Sequence, residues 1–301
     1  MLKKVLRSVA ALAVVGTIGV AGTAATKAQD LYGTLKKIKD SGTIVIGHRE
    51  ASVPFAYIGP DGNGIGYTID LCVKIAAKVK DELGMDKLDI KYVPVTSQTR
   101  IPLLANGTID IECGSTTNNL TRQQQVDYLH TTFITGTKLL VKKGSGIKEV
   151  EDLEGKAIAL LLGTTNEKAV KAIAEKKKIN LRVVPVKDYP QALLLLESDR
   201  VDAVASDDIL LYGVIASSKN PGDLEVVGRY LSYDPYGIMV RRDDSAFRLV
   251  GNTVLSDLMR SGEMVEIYNK WFTKPIPGKE PLNVPMGDLL KAAFQIQALP
   301  Y

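Results

Sequence analysis

Histidine, cysteine and tryptophan are almost missing: the 301 residues include two His, two Cys and one Trp. The histidines, His48 and His130, stand at no metal-ligand spacing from each other or from the cysteines, so no metal centre is expected. Without a His-based acid–base pair or an activated nucleophile, catalysis has little to draw on, and no cofactor is expected. Glycines 62, 64 and 66 sit around the turn cluster Pro60-Asp61-Gly62-Asn63-Gly64 and lack the G-x-G-x-x-G spacing of a dinucleotide fingerprint. No low-complexity stretch divides the chain. Beyond residue 28 no apolar run approaches the ~20 residues that cross a bilayer.

What is present begins with an export signature. Lys3, Lys4 and Arg7 precede the apolar stretch Val9 to Val20, and small residues follow up to Ala25 and Ala28. That is the layout of a cleaved signal peptide over residues 1–28, which places the mature chain in the periplasm. No Cys follows the apolar stretch, so a lipid anchor at that point is not available. The formal charge of +4 is carried by Lys3, Lys4, Arg7 and Lys27, with no acidic residue before Asp30, and cleavage brings it to zero. A neutral mature chain gives no electrostatic reason to expect nucleic acid as a partner. Cys72 and Cys113 remain after processing. In an oxidising compartment they pair as a disulfide, or they serve as two small buried hydrophobes.

The length is generous for one hydrophobic core and comfortable for two. Two segments repeat one pattern: Leu103 to Ser115 reads LLANGTIDIECGS and Leu195 to Asp207 reads LLESDRVDAVASD. Each is a helix end, a polar break, a short alternating strand and a small polar residue at its close. At a constant offset Ile109 falls on Val201, Asp110 on Asp202 and Ser115 on Asp207. Elsewhere, strands at Ser41–Arg49, Leu88–Val95, Thr137–Lys143, Ala157–Leu162 and Leu181–Val186 alternate with helices, which predicts an α/β fold of two related lobes. The chain is expected to cross between lobes near 133–137 and 232–237. Residues 29–136 and 237–301 then form lobe 1 and residues 137–236 an inserted lobe 2, with two crossing hinge strands that permit clamshell closure.

In open α/β sheets ligands bind beyond the carboxyl ends of strands, so the polar residues there are the candidates. Arg122 offers a guanidinium fork for a carboxylate. Thr164 and Thr165 open a helix whose N–H groups favour an anion, and Thr164 with Glu167 fits a capping box. Asp207 can hold an ammonium, with Ser115 facing it. Together these suit an α-amino acid. Arg49, Ser97 and Arg100 form a second anion pocket, suited to a side-chain carboxylate. The alternative for Arg49 is a surface pair with Glu50 or Glu112.

Longer segments carry a family resemblance. Gly66-Tyr67-Thr68-Ile69-Asp70-Leu71 resembles the signature of extracellular solute-binding proteins of the polar amino-acid transport class. GHREASVPFAY (47–57), TSQTRIPLLANGTIDIECGSTTNN (96–119), TGTKLLVKKG (135–144) and NKWFTKPIP (269–277) resemble the periplasmic glutamate/aspartate-binding proteins of Gram-negative bacteria. The resemblance implies a two-lobe type II periplasmic-binding fold that delivers L-glutamate or L-aspartate to an inner-membrane ABC permease, as a monomer and not as an enzyme. By position it makes Arg122, Ser115, Thr117 and Thr165 contacts of the ligand's backbone end, Asp207 the ammonium partner, and Arg49, Ser97 and Arg100 readers of the side-chain carboxylate. Two departures stand out. Tyr189 replaces a family His near the ligand side chain, and a phenol cannot become cationic near neutral pH. The family also pairs the ECGS cysteine with one in the second crossing segment, where residues 236–240 hold none, so Cys72 is the only available mate. The alternatives in function are a periplasmic dehydratase of the same fold, for which His48 and Glu112 are the candidates, and a ligand-sensing partner of a chemoreceptor.

Overall fold

Ten strands sort into two five-stranded sheets in the computed structural model, which describes residues 31–301. The expected signal peptide lies outside the described residues. In the first sheet the order is Asp89–Pro94, Thr43–His48, Ile111–Cys113, Asp234–Arg241, Val126–Thr135. In the second it is Arg182–Val186, Ala157–Leu161, Ala203–Asp207, Thr137–Lys142, Leu224–Val227. Both follow one plan. Three strands run parallel, a fourth runs against them, and a fifth runs against the fourth.

The repeated sequence pattern has a physical job. Asp110 donates its backbone N–H to the Val45 carbonyl at 2.8 Å, while its Oδ2 accepts from the Val45 N–H at 2.9 Å. Asp202 does the same to Ala157, at 2.8 Å and 2.7 Å. Each aspartate therefore clamps its strand to the neighbour just before the ladder begins, satisfying two backbone groups at once. The residue before each one folds back too: Ile109 N–H donates to Leu103 O at 3.1 Å and Val201 N–H to Leu195 O at 3.3 Å.

The chain leaves the first sheet at Gly136, between Val126–Thr135 and Thr137–Lys142, and returns from Leu224–Val227 to Asp234–Arg241. The two passages touch. A Cβ on Gly136 would lie 2.2 Å from the Ser232 carbonyl oxygen, so only glycine allows the approach. The Thr137 N–H donates to Ser232 Oγ at 3.0 Å and the Leu231 N–H to Thr137 O at 2.9 Å.

Helix Tyr67–Glu82 buries Ile69, Cys72, Ala76 and Val79, a stripe at three- and four-residue steps. It starts at Gly66, where a Cβ would stand 2.2 Å from the Phe55 carbonyl oxygen and φ is 143°. Around its first turn Phe55, Tyr67, Phe133, Tyr236, Tyr268 and Phe272 form one aromatic cluster, tightest between Tyr268 and Phe272 with centroids 4.3 Å apart. The helices Ser245–Ser261 and Asp288–Gln297 pack against Val126–Thr135. No helix among the described residues is long and apolar enough to cross a membrane.

Cys72 and Cys113 form a disulfide, which resolves the two readings left open by the sequence. It ties helix Tyr67–Glu82 to the strand Ile111–Cys113 across a sequence separation of 41 residues. By loop-closure entropy a bridge of that span is worth about 4 kcal/mol. A Cys72→Ser, Cys113→Ser variant is expected to melt on the order of 10 °C lower. Calorimetric scans of the two proteins check this.

Candidate functional site

The parallel strands of both sheets end toward one buried cavity. Eight of the nine expected residues line it: Arg49, Ser97, Arg100, Ser115, Thr117, Thr165, Tyr189 and Asp207, joined by Thr164, Asn166 and Leu210. Arg49 follows Thr43–His48, Ser97 and Arg100 follow Asp89–Pro94, and Ser115 and Thr117 follow Ile111–Cys113. From the second sheet Thr164 to Asn166 follow Ala157–Leu161, Tyr189 follows Arg182–Val186, and Asp207 closes Ala203–Asp207. Every wall is thus a strand's carboxyl end, as the general rule for such sheets requires. The cavity itself is small, about 10 Å³ of space for a water's centre, because its own side chains nearly fill it.

At one end stand two arginines. Arg49 is buried and its Nη1 donates to Ser97 Oγ at 2.9 Å, so the surface pair with Glu50 or Glu112 does not form. Burial, and then the neighbouring Arg100, hold the Arg49 guanidinium below its ordinary value. Arg100 Nη1 donates to Thr116 Oγ1 and to the Ser115 carbonyl, the latter at 3.2 Å. Beneath it lies Glu112, fully buried, which accepts from Thr116 Oγ1 at 2.8 Å and stands 4.0 Å from Arg100 Nη1. One carboxylate therefore offsets two adjacent guanidiniums.

At the other end is Asp207. Its Oδ1 accepts from Asn166 Nδ2 at 2.8 Å and its Oδ2 accepts from the Tyr236 hydroxyl. Burial first, and Asp234 second, push this carboxyl up to about 7 despite both donors. Asp234 in turn accepts from Thr117 Oγ1 at 2.9 Å, and Thr117 Oγ1 shares a 3.2 Å hydrogen bond with Thr165 Oγ1 from the second sheet's side.

Thr164 caps helix Thr165–Lys177, accepting from the Glu167 N–H at 3.1 Å. The expected capping box is only half met. Glu167 Oε2 accepts from the Gly163 N–H at 2.9 Å instead of reaching that of Thr164. Tyr189 is buried and its hydroxyl lies 2.8 Å from Ser206 Oγ.

Arg122 is the one expected residue that does not line the cavity. It is buried behind Thr117, with Nη1 donating to Thr117 O at 2.8 Å and Nη2 to Gly163 O at 3.3 Å. One guanidinium thus bridges a loop after a first-sheet strand and a loop after a second-sheet strand. Among the described residues no group of three or more His, Cys, Asp and Glu side chains could hold a metal ion.

A comparison of sequence families fits this geometry. The profile of the bacterial extracellular solute-binding proteins, family 3, matches residues 44–274. The chain belongs to that family. This solute-binding protein is 49% identical over 266 residues to an L-glutamate/L-aspartate-binding protein of Pseudomonas aeruginosa, covering 88% of each chain. It is 43% identical over 263 residues to a glutamate/aspartate import solute-binding protein of Escherichia coli, covering 87% of each. Among solved structures it resembles a mutant of the T. maritima protein ArgBP at a TM-score of 0.71, with 29% identity over 80% of this chain and 100% of that one. Its fold is the expected two-lobe α/β fold of type II periplasmic amino-acid-binding proteins.

Sequence reasoning did not single out Asn166, Thr116, Asp234 or Tyr236 in this solute-binding protein. Asn166 stands inside the capping segment GTTNE, and its side chain turns inward to Asp207 and to Thr137 Oγ1, the latter at 2.7 Å. Asp234 and Tyr236 arrive on the returning strand, far away in sequence. The raised Asp207 also has a consequence for stability. Between about pH 4 and pH 7 the folded form keeps a proton that the unfolded chain has released. The stabilising effect is complete below about pH 4 and is lost as pH rises through 7. Urea unfolding at several pH values should show that decline, and Asp207→Asn should remove it.

Proposed function

We propose that this chain is the substrate-binding component of an ABC importer for acidic amino acids, L-glutamate and L-aspartate. The observation that carries the reading is the pairing of Arg49 and Arg100, with Ser97, at one end of a buried cavity whose other end is Asp207. Two adjacent guanidiniums offset by one buried carboxylate call for an anionic group, and Asp207, with Asp234 behind it, calls for a cation at the far end. An amino acid with a carboxylate side chain supplies both. The names of the Pseudomonas and Escherichia relatives support the same ligand class.

In this reading Arg49, Ser97 and Arg100 hold the side-chain carboxylate. Asp207 takes the ammonium, and Ser115, Thr117, Thr165 and Arg122 take the α-carboxylate, aided by the N-terminus of helix Thr165–Lys177. The two donors that Arg122 now gives to the Thr117 and Gly163 carbonyls turn to the ligand. Lobe 1, residues 29–136 and 237–301, closes on lobe 2, residues 137–236, about the passages that meet at Gly136 and Ser232. Residues 1–28 direct export to the periplasm, where the monomer hands its ligand to an inner-membrane permease without chemical change. A thermal-shift panel tests this: glutamate and aspartate should raise the melting point most, glutamine and asparagine far less, and lysine and histidine not at all. A panel in which lysine or histidine stabilises most would overturn it.

A second reading, a dehydratase of this fold, draws on one observation. A buried carboxyl pushed up to about 7, like Asp207, is suited to general acid work. Turnover of prephenate or arogenate by the purified protein would favour it.

A further inference from the structure

Behind the binding cavity lies a second hollow of about 320 Å³. The two stand back to back across the same three pieces of chain. Arg49 lines the inner cavity and its neighbour Glu50 the outer hollow. Leu210 lines the inner one, and Gly213, about one helical turn later, the outer. Tyr189 lines both. It is the first residue of helix Tyr189–Glu197, its ring is buried, and its hydroxyl is held by Ser206. The phenol feels the charge of Arg49 first, then that of Asp207, and that of Arg100 last, so the ring stands beside Arg49. Beyond it the hollow is walled by Val53, Tyr57 and Leu193, with Lys279 among its lining.

We propose that Tyr189 is the stop that sets the longest side chain this protein accepts, and that the hollow behind it is the space which longer α-amino dicarboxylates would enter if the stop were shortened. The inference rests on the assignment of Arg49 and Arg100 to the ligand's side-chain carboxylate. In a filled cavity each added methylene must displace a wall, and the wall at this end is one aromatic ring backed by open space. Aspartate and glutamate end before the ring. The six-carbon homologue L-2-aminoadipate and the seven-carbon L-2-aminopimelate keep the same charges and differ only in length, so they probe the stop alone.

Calorimetric titration of these four acids into the wild type, Tyr189→Leu and Tyr189→Ala tests it. The wild type should bind aminoadipate at least about tenfold more weakly than glutamate, and aminopimelate more weakly still. That ratio should shrink in the leucine variant and fall about tenfold or more in the alanine variant, with glutamate still bound. The leucine variant carries the test if alanine at this position prevents folding. An unchanged ratio in folded variants that bind glutamate, or a wild type that takes aminoadipate as tightly as glutamate, would overturn the stop alone. A wild type that binds none of the four acids would overturn the ligand assignment beneath it.

Discussion

Arg122→Ala is expected to abolish measurable binding of every amino acid, acidic or neutral. The side chain is buried, and its two donors reach carbonyls of loops that follow strands of different sheets. In the proposed complex those donors hold the α-carboxylate, the group all amino acids share. Removing one partner of a buried charge pair costs about 2–5 kcal/mol, or roughly thirty- to several thousand-fold in affinity. The variant also strands the Thr117 and Gly163 carbonyls that Arg122 joins, so closure weakens as well. Arg122→Lys keeps the charge but cannot span both acceptors, and should recover only part of the loss. Equilibrium dialysis with glutamate, aspartate and glutamine reads the effect. A variant that loses glutamate alone would move Arg122 to the side-chain end.

Arg100→Ala is expected to act on selectivity instead. Its guanidinium lies over Glu112 and beside Arg49, at the end assigned to the side chain. Glutamate affinity should fall by about 2–5 kcal/mol while glutamine changes by no more than about threefold, since an amide never used the charge. The same change leaves buried Glu112 with Arg49 as its one remaining cation, which costs up to about 3 kcal/mol of stability. The double variant Arg100→Ala, Glu112→Gln separates the two effects. It should regain part of the stability, as Glu112 is then uncharged while Arg49 keeps its charge, without regaining glutamate. Denaturant unfolding and calorimetry on the single and double variants measure each part. Equal losses for glutamate and glutamine in the single variant would remove Arg100 from the selectivity filter.

Local signals carried much of the fold. The repeat was readable because Asp110 and Asp202 each perform a short-range task, clamping a strand start, and such tasks leave a fixed residue at a fixed spacing. Strands Thr43–His48 and Ala157–Leu161 stand inside the segments Ser41–Arg49 and Ala157–Leu162 where their patterning put them. Strand Val126–Thr135 was not read as one. The buried residues of VDYLHTTFIT do not alternate, since Tyr128–Leu129 and Thr132–Phe133 are buried as neighbours, and its place comes from pairing with Asp234–Arg241, about a hundred residues onward and with irregular register near Gly237. Helix Asp208–Ile215 escaped for the opposite reason: ILLYGVI is apolar almost all round and has no face to detect.

The site followed the same division. Arg49, Ser97, Arg100, Ser115 and Asp207 were legible because each sits at or near the end of a recognisable strand. Tyr189 and Thr117 came through family resemblance. Asn166, Asp234 and Tyr236 were not legible, since their partners are met only once the chain has crossed between sheets and returned. Arg122 was recognised by type, but its bridge to Gly163 is a tertiary contact that no spacing announces.

The most direct test is a pair of titrations on the mature wild-type protein near neutral pH, one with L-glutamate and one with L-glutamine. The two ligands have nearly the same shape and differ in a single side-chain charge. A site built on Arg49 and Arg100 should bind glutamate at least about a hundredfold more tightly, close to 3 kcal/mol. Equal affinities would mean that the paired guanidiniums do not read the ligand's charge.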